Sequence, residues 1–188
     1  MLIRAAGLSD RGPTREQNDD HYSLATFIEQ DTLTALTLDS ASREFEQFGL
    51  LAAVADGMGG YAGGATASRT VLETLAAQYY SERRAGMTAE ALAEQLAHYL
   101  AQTARVLRAT LERSPEIADA GTTLSGLALL APDRMVVFHI GDSRVLRCSG
   151  GYLRALTVDH RPFGAEIAAG RMTEAEARAR PDARGVTR

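Results

Sequence analysis

The stretch FGLLAAVADGMGG, from Phe48 to Gly60, is the part of the sequence that decides the fold. Its first part, Phe48–Ala55, is a continuous apolar run of strand length, which predicts a strand buried on both faces. Asp56 follows directly, so a carboxylate is expected at the end of a buried strand. A cluster of glycines then opens into a helix, and it comprises Gly57, Gly59, Gly60, Gly63 and Gly64. The apolar positions of that helix follow helical spacing and are Val71, Leu72, Leu75, Ala76 and Tyr79.

The segments on either side extend this pattern. Leu2–Ser9 and Tyr22–Phe27 are predicted strands, and the polar segments 10–19 and 29–46 join and follow them. A long helix is predicted from Thr88 to about Arg113, because leucines form one stripe along it and Ser114-Pro115 ends it. The later strands are predicted at Thr122–Leu130, Arg134–Ile140, Arg144–Cys148 and Tyr152–Leu156, and a polar, helix-prone tail runs from Glu166 to Arg180.

Two of these later strands, at Leu127–Leu130 and Met135–Ile140, are apolar on both faces. A sheet covered on one side only would not need this, whereas two packed sheets with helices outside would. We therefore expect an α+β fold, a four-layer αββα sandwich of two mostly antiparallel sheets flanked by helices. Residues 1–188 show no repeat and no domain boundary, so a single domain is expected.

Composition excludes several classes of protein. The net charge of -4 argues against a dedicated nucleic-acid binder. All 20 basic residues are arginines, so P-loop, protein-kinase and Schiff-base chemistries, which need a lysine, cannot operate in standard form. The single cysteine, Cys148, rules out an internal disulfide and suits a reducing compartment. No apolar run is long enough to span a membrane, and no signal pattern is present, so a cytoplasmic location is expected.

Three acidic clusters lie at strand ends or in turns. Asp19 and Asp20 precede a strand, Asp56 follows the central strand, and Asp142 lies in a Gly-Asp-Ser-Arg turn. Carboxylates that converge from one end of a sheet suit Mg²⁺ or Mn²⁺, which prefer oxygen ligands. Gly57 would let a backbone carbonyl approach such a metal. Two adjacent metals can activate water for in-line attack on phosphorus.

Each cluster has a plainer interpretation when it is taken alone. Asp-Gly is a common turn, Gly-Asp-Ser-Arg is a hairpin turn, and Asp19-Asp20 is also what a solvated pair or a helix cap looks like. His98 and His139 are expected to be structural. No histidine–cysteine spacing indicates zinc.

The order of the motifs is more specific than any one of them. They are Arg15-x-x-Asn18-Asp19-Asp20, Val54-Ala55-Asp56-Gly57-Met58-Gly59-Gly60, Gly121-Thr122-Thr123-Leu124, Gly141-Asp142-Ser143-Arg144 and Leu156-Thr157-Val158-Asp159-His160. In this order the sequence resembles the PPM (PP2C-like) metal-dependent serine/threonine phosphatases, in particular their bacterial branch. The resemblance spans essentially the whole chain.

The resemblance implies a metal site that binds two Mn²⁺ or Mg²⁺ ions, with a possible third. Asp56 would bridge the two ions, and the Gly57 carbonyl would complete one shell. Asp19 or Asp20 would ligate the second ion, directly or through water. Asp142 would match the carboxylate of the third, weaker site.

The resemblance also implies the reaction. A metal-bound hydroxide would hydrolyse phosphoserine or phosphothreonine in protein substrates, and Arg15 would bind the phosphate bidentately. Eukaryotic members carry a histidine where this chain has Met58, so water or the substrate's environment must protonate the leaving group. The implied partners are phosphorylated proteins, with no nucleic acid and no membrane, and the chain is expected to be a monomer.

One departure from the family pattern concerns the end of the chain. The family completes its metal site with two later aspartates, in an Asp-Gly and an Asp-Asn pair, and nothing after Asp142 matches them. We therefore expect a domain that is incomplete at its C-terminus. The alternative function is a catalytically impaired fragment, or a regulatory phosphoprotein-binding module with the same fold. A metal-dependent phosphodiesterase fits the motif set less well.

Overall fold

The structure is a computed structural model, which describes residues 1–59, 62–82, 84–131 and 133–180. The strands are β1 (Leu2–Gly7), β2 (Asp20–Leu24), β3 (Phe27–Glu29), β4 (Thr34–Asp39), β5 (Leu50–Met58), β6 (Gly121–Thr122), β7 (Leu124–Ala131), β8 (Arg134–Ile140), β9 (Leu146–Ser149) and β10 (Tyr152–Ala155). The α-helices are α1 (Arg43–Phe48), α2 (Gly63–Ser81), α3 (Ala89–Glu112), α4 (Gly164–Ala168) and α5 (Glu174–Arg178). None of the helices in these ranges is long and apolar enough to cross a membrane.

The main sheet is built around β5, the strand that the apolar run predicts. Its order is β3-β2-β5-β7-β8, with β6 also paired to the end of β5, and the pairs are antiparallel. Two shorter antiparallel ribbons, β1–β4 and β9–β10, complete the strands. The mixed architecture of helices and antiparallel sheets expected from the sequence is confirmed.

One face of the main sheet is covered by α2 and α3. Side chains from β5 such as Leu51 pack against Leu72 and Leu75 of α2 and against Leu92 and Leu96 of α3 in a single core cluster. Helix α3 begins where the Thr88 side chain accepts a hydrogen bond from the Ala91 amide, and it ends before Pro115 as predicted. This packing holds α2 directly behind the strand that carries Asp56.

Arg84 joins α2 and α3 just after the C-terminal end of α2, whereas the start of α2 lies beside Gly57. Its side chain is 1% exposed, and its guanidinium lies over the rings of Tyr79 and Tyr99, at 4.6 and 5.6 Å from their centroids. It donates hydrogen bonds to the Tyr79 carbonyl, the Tyr99 hydroxyl and Gln95. The helix pair is therefore clamped by a buried cation as well as by apolar packing.

The other face of the main sheet is only partly covered. The β1–β4 ribbon packs over Tyr22, Leu24, Phe45 and Leu50. Val54, further along β5, is 45% exposed and lines an open cleft of about 240 Å³ between the sheet and the start of β9. The prediction that this strand is buried on both faces is thus correct at its beginning and wrong at Val54.

Three element predictions need correction. The polar segment 29–46 contains β4 and the start of α1, because Leu36, Leu38 and Phe45 supply the apolar contacts of the second cluster. The strand predicted at Tyr22–Phe27 is two strands separated by a turn at Ala25, whose φ is 56°. Strand β5 runs on to Met58, so Asp56 lies within a strand rather than after one. Of the glycine cluster, Gly60 lies outside the described residues.

Candidate metal and phosphate site

Asp20 and Asp56 face each other across the antiparallel pair β2–β5. The register places Asp20 directly opposite Asp56, as it places Tyr22 opposite Val54. Directly opposed residues in such a ladder point to the same face and have Cβ atoms about 4.5–5.5 Å apart. Two carboxylates are therefore side by side at the end of the sheet, on the face that α2 does not cover.

The electrostatics of this pair are unfavourable without a cation. Burial, and then the negative charge of Asp56, raise the pKa of Asp20 from 3.8 to about 6, and the charge of Asp19 acts in the same direction. The positive charge of Arg15 opposes this shift only weakly. Near neutral pH the site thus holds closely spaced negative charge that lacks a matching positive charge.

Asp19 takes a different direction from Asp20. Its carboxylate lies against α2, since a Cβ placed on Gly64 would be 3.0 Å from Asp19 Oδ2. Its Oδ1 atom is buried without a hydrogen-bond partner. Its carbonyl accepts hydrogen bonds from the Gly57 amide at 3.2 Å and the Ser68 hydroxyl at 2.6 Å. The structure therefore pairs Asp20, and not Asp19, with Asp56.

Close approach of backbones explains the glycines around Asp56. A Cβ on Gly57 would lie 2.2 Å from the Gly64 carbonyl oxygen and 2.6 Å from the Asp19 carbonyl oxygen. Only glycine fits there, because these neighbours are backbone atoms that cannot turn away. The start of α2 therefore packs directly against β5, and the Gly57 backbone lies next to the residue that carries one of the paired carboxylates.

Arg15 lies on a loop that is tied at its base. The Asn18 side chain donates to Ser9 Oγ and Asp31 Oδ1, both at 2.7 Å, and accepts from the Asp20 amide at 3.0 Å. Arg11 donates across the loop to the Glu16 carbonyl at 3.0 Å. Arg15 itself is exposed, at a distance from which its charge lowers the pKa of Asp20. Its guanidinium thus acts on Asp20 electrostatically, but Arg15 is not among the residues that line the carboxylate cleft.

Asp142 is exposed in the turn after β8, and its neighbour Ser143 lines the carboxylate cleft. Gly141 has a φ of 108°, a backbone conformation that residues with a side chain rarely adopt. Its carbonyl accepts a hydrogen bond from the His160 amide at 2.7 Å. Asp142 itself is not among the residues that line the cleft, whereas Asp20 and Asp56 are.

A cluster of ion pairs holds the turn to the segment that follows. Arg144 donates to both oxygens of Asp159, at 2.7 and 2.6 Å, and Asp159 is 7% exposed. Arg161 Nε lies 2.9 Å from Asp159 Oδ2, though not aligned for a hydrogen bond, and Arg161 also donates to Glu174 at 2.6 Å. Arg144 holds the pKa of Asp159 below its ordinary value, so the cluster is charged at neutral pH.

The arrangement fits a divalent cation, although its ligands are few. Asp20, Asp56 and Ser143 line one cleft of about 220 Å³, together with Ser9 and Asp10. The raised pKa of Asp20 marks negative charge in this cleft that a cation would neutralise, whereas the unpartnered buried oxygen of Asp19 belongs to a carboxylate on the α2 side. Among residues 1–59, 62–82, 84–131 and 133–180, no group of three or more His, Cys, Asp or Glu side chains is arranged to hold a metal. Water and backbone oxygens would have to complete the coordination.

Sequence reasoning missed the residues that support the site from behind. His21 is buried, and its Nδ1 lies 2.8 Å from Ser68 Oγ, which in turn donates to the Asp19 carbonyl. Burial, and then the charge of Arg69, lower the pKa of His21, so the ring is neutral. The only signal in the sequence is the position of His21 directly after the aspartates. His139 is hydrogen-bonded to Ser125, in keeping with its predicted structural role.

Comparison with known proteins gives the same picture. Residues 29–184 match the family model described as protein phosphatase 2C. The serine/threonine protein phosphatase PstP of Mycobacterium tuberculosis is 31% identical over 182 residues, which are 96% of this chain and 30% of PstP. The protein phosphatase PhpP of Streptococcus pneumoniae is 31% identical over 134 residues, 71% of this chain and 53% of PhpP. The chain thus spans about a third to a half of the length of these relatives.

Solved structures agree with the fold. The crystal structure of M. tuberculosis PstP superposes with a TM-score of 0.65 at 29% identity, over 100% of this chain and 67% of that one. The PstP catalytic domain in complex with two manganese ions gives a TM-score of 0.63 at 30% identity, over 99% and 67% of the two chains. The paired aspartates, the glycines behind them and these similarities agree, and the chain belongs to the protein phosphatase 2C family.

Proposed function

We propose that the function of this chain is the metal-dependent hydrolysis of phosphoserine and phosphothreonine in proteins. The observation that carries the proposal is the pairing of Asp20 and Asp56 in register at the edge of an open cleft, with their negative charge unbalanced. An open cleft suits a phosphorylated side chain presented by another protein, since such a substrate must reach the site from outside.

The side chains divide the chemistry between them. Asp20 and Asp56 would hold a divalent cation, Mn²⁺ or Mg²⁺, with the Gly57 carbonyl and water as further oxygen ligands, and Asp142 would serve a more weakly bound ion. When bound, such a cation lowers the pKa of coordinated water and offsets negative charge on the phosphoryl oxygens. The guanidinium of Arg15 would orient the phosphate by two parallel hydrogen bonds.

Proton transfer to the leaving group is left to water in this proposal. The position that follows Asp56-Gly57 is Met58, which is partly exposed and has no titratable proton. The hydroxyls of Ser9 and Ser143 line the cleft but have ordinary alcohol chemistry. A solvent-open cleft supplies water at the seryl or threonyl oxygen, so no side chain is required as general acid there.

Two ions of the kind seen in the PstP catalytic domain need more ligands than Asp20 and Asp56 provide. The chain is therefore expected to bind a first ion more tightly than a second. The binding of added Mn²⁺, followed by electron paramagnetic resonance of the free ion, should show this order directly.

The test compares Asp56→Ala with a matched control, Asp133→Ala. Asp133 is a highly exposed aspartate in the β7–β8 turn, away from the cleft. We expect Asp56→Ala to weaken Mn²⁺ binding by about tenfold or more, because a cation site loses one of its few charges, and Asp133→Ala to leave it unchanged. Mn²⁺-dependent hydrolysis of a phosphothreonine peptide should fall in parallel.

Equal Mn²⁺ binding by the Asp56 and Asp133 variants would refute the proposed site. Binding of Mn²⁺ that depends on Asp56, without peptide hydrolysis, would favour the alternative, in which the chain is a phosphoprotein-binding module.

A further inference from the structure

Two hydroxyls, of the buried Thr123 and the partly buried Ser143, link the carboxylate site to the Gly141–Arg144 turn. The Asp56 amide donates to Thr123 Oγ1 at 3.0 Å, and the Thr123 amide donates to the Asp56 carbonyl at 2.9 Å. The Thr122 hydroxyl donates to the same carbonyl at 3.0 Å. The amide and the carbonyl of Asp56 are thus both held, by β6 and the residue after it, and this fixes the direction in which the Asp56 side chain leaves the strand.

The same Thr123 oxygen lies 2.6 Å from Ser143 Oγ. Ser143 is itself anchored, because its carbonyl accepts a hydrogen bond from Ser125 Oγ at 2.9 Å. Thr123 and Ser125 are both almost completely buried, at 2% and 1% exposed. The Thr123 hydroxyl therefore contacts both Asp56 and the turn that carries Asp142.

The other hydrogen bonds of Thr123 indicate which of the two hydroxyls, Thr123 or Ser143, donates its proton to the other. Thr123 Oγ1 already accepts from the Asp56 amide. If Ser143 also donated to it, the Thr123 proton would be left without a partner in a buried position, which costs about 1–3 kcal/mol. If Thr123 donates to Ser143 instead, the Thr123 hydroxyl both accepts and donates a hydrogen bond. The Ser143 proton is then directed elsewhere, and Ser143 lines the same cleft as Asp20 and Asp56.

The geometry assigns Thr123 as a positioning residue for Asp56, and Ser143 as the hydroxyl that donates to an oxygen of the bound phosphate group. This assignment rests on the proposed function, because it takes the ligand of the cleft to be a phosphoryl group beside a divalent cation. Arg15 approaches the phosphate from the N-terminal loop, and Ser143 approaches it from the turn after β8. The two donors would hold the phosphate between them.

The first measurement needs no metal and no activity. Thr123→Val keeps the shape of the side chain and removes the acceptor, so hydrogen exchange of the Asp56 amide should quicken by about tenfold or more. Thr123→Ser should restore slow exchange. The matched control is Thr103→Val, since Thr103 is equally buried and its hydroxyl has no hydrogen-bond partner. Unchanged exchange in Thr123→Val, or an equal effect of Thr103→Val, would overturn the role of Thr123.

The second measurement uses Mn²⁺ and inorganic phosphate as probes, with binding followed by calorimetry. Ser143→Ala should bind Mn²⁺ like the unmodified chain and phosphate about tenfold more weakly, as expected for a lost hydrogen bond to an anion. Thr123→Val should weaken the binding of both probes. Unaltered phosphate binding by Ser143→Ala would overturn its donor role.

The two measurements separate the possible failures. If the unmodified chain binds neither probe, the proposed function and the donor role of Ser143 both fall. The exchange of the Asp56 amide would still decide whether Thr123 holds that residue in place.

Discussion

Replacing Asp20 by asparagine tests the electrostatic description of the site. Burial and the nearby charge of Asp56 raise the pKa of Asp20 from 3.8 to about 6. The folded chain therefore binds this proton more tightly than the unfolded chain does. The resulting stabilisation is complete below pH 3.8, and it is lost as the pH rises through about 6. At pH 7.5 the metal-free chain lacks this stabilisation and carries two adjacent carboxylates.

The magnitude follows from the size of the shift. The rise in the pKa of Asp20 from 3.8 to about 6 corresponds to roughly 3 kcal/mol, at about 1.4 kcal/mol for each pKa unit. Solvent screening of these partly exposed carboxyls reduces the figure to about 1–2 kcal/mol. Asp20→Asn should therefore raise the free energy of unfolding by about 1–2 kcal/mol at pH 7.5, and have little effect at pH 4.

Urea unfolding of the metal-free chain at both pH values provides the assay. Asp133→Asn serves as the control, because Asp133 is exposed and distant, and it should shift the midpoint at neither pH. A variant that is less stable than the unmodified chain at pH 7.5, or equally stabilised at both pH values, would refute the reasoning. The former result would mean that the Asp20 carboxylate makes favourable contacts that outweigh the repulsion from Asp56.

Other perturbations test the scaffold. Arg84→Met should lower the free energy of unfolding, measured with urea, by about 2–4 kcal/mol, because it leaves buried hydrogen-bond partners unsatisfied. Arg69 forms an exposed ion pair, so Arg69→Ala should lower the free energy of unfolding by about 0.5 kcal/mol or less. Equal losses of stability in the Arg84 and Arg69 variants would contradict the stabilising role of Arg84 between α2 and α3. Gly57→Ala would place a Cβ 2.2 Å from a backbone oxygen, so the free energy of unfolding, measured by thermal unfolding, should fall by about 3 kcal/mol or more. An unchanged melting temperature would disprove the close packing of α2 on β5. Arg144 lowers the pKa of Asp159, so the ionised Asp159 stabilises the folded chain at pH values above its ordinary pKa of 3.8. This stabilisation is lost as the pH falls through the lowered pKa of the folded state. Asp159→Asn should therefore flatten the loss of stability between pH 5 and pH 2, as measured by urea midpoints, and a slope equal to that of the unmodified chain would count against the ion pair.

The sequence predicts the centre of this fold well because strong local signals coincide there. The apolar run before Asp56, the glycines after it and the leucine stripe of α3 each specify an element without help from distant contacts. Strand β4 and helix α1 escape prediction because their apolar residues are few and widely spaced. They become ordered by packing onto Tyr22 and Leu50, which lie elsewhere in the sequence.

The candidate site was predictable in its residue types but not in its pairing. Asp19 and Asp20 are equivalent as neighbours in the sequence, and only the register of β2 with β5 turns Asp20 towards Asp56 and Asp19 towards α2. The support from Ser68 and Thr123 was also hidden, because these residues lie 49 and 67 positions away from the groups that they bind.

The opposed positions of Asp20 and Asp56 have a consequence for how such a site can change during evolution. The distance between the backbones of Asp20 and Asp56 is set by the hydrogen-bonded spacing of neighbouring strands, about 4.8 Å, and not by any loop. Insertions into the loop that carries Arg15, or into the segment after β8, would alter access and substrate contacts while Asp20 and Asp56 stay opposite each other. A one-residue insertion within β2 would instead turn Asp20 to the opposite face and separate the pair. Loops around the cleft are thus free to diversify, whereas the two strands beneath it are held to a fixed length.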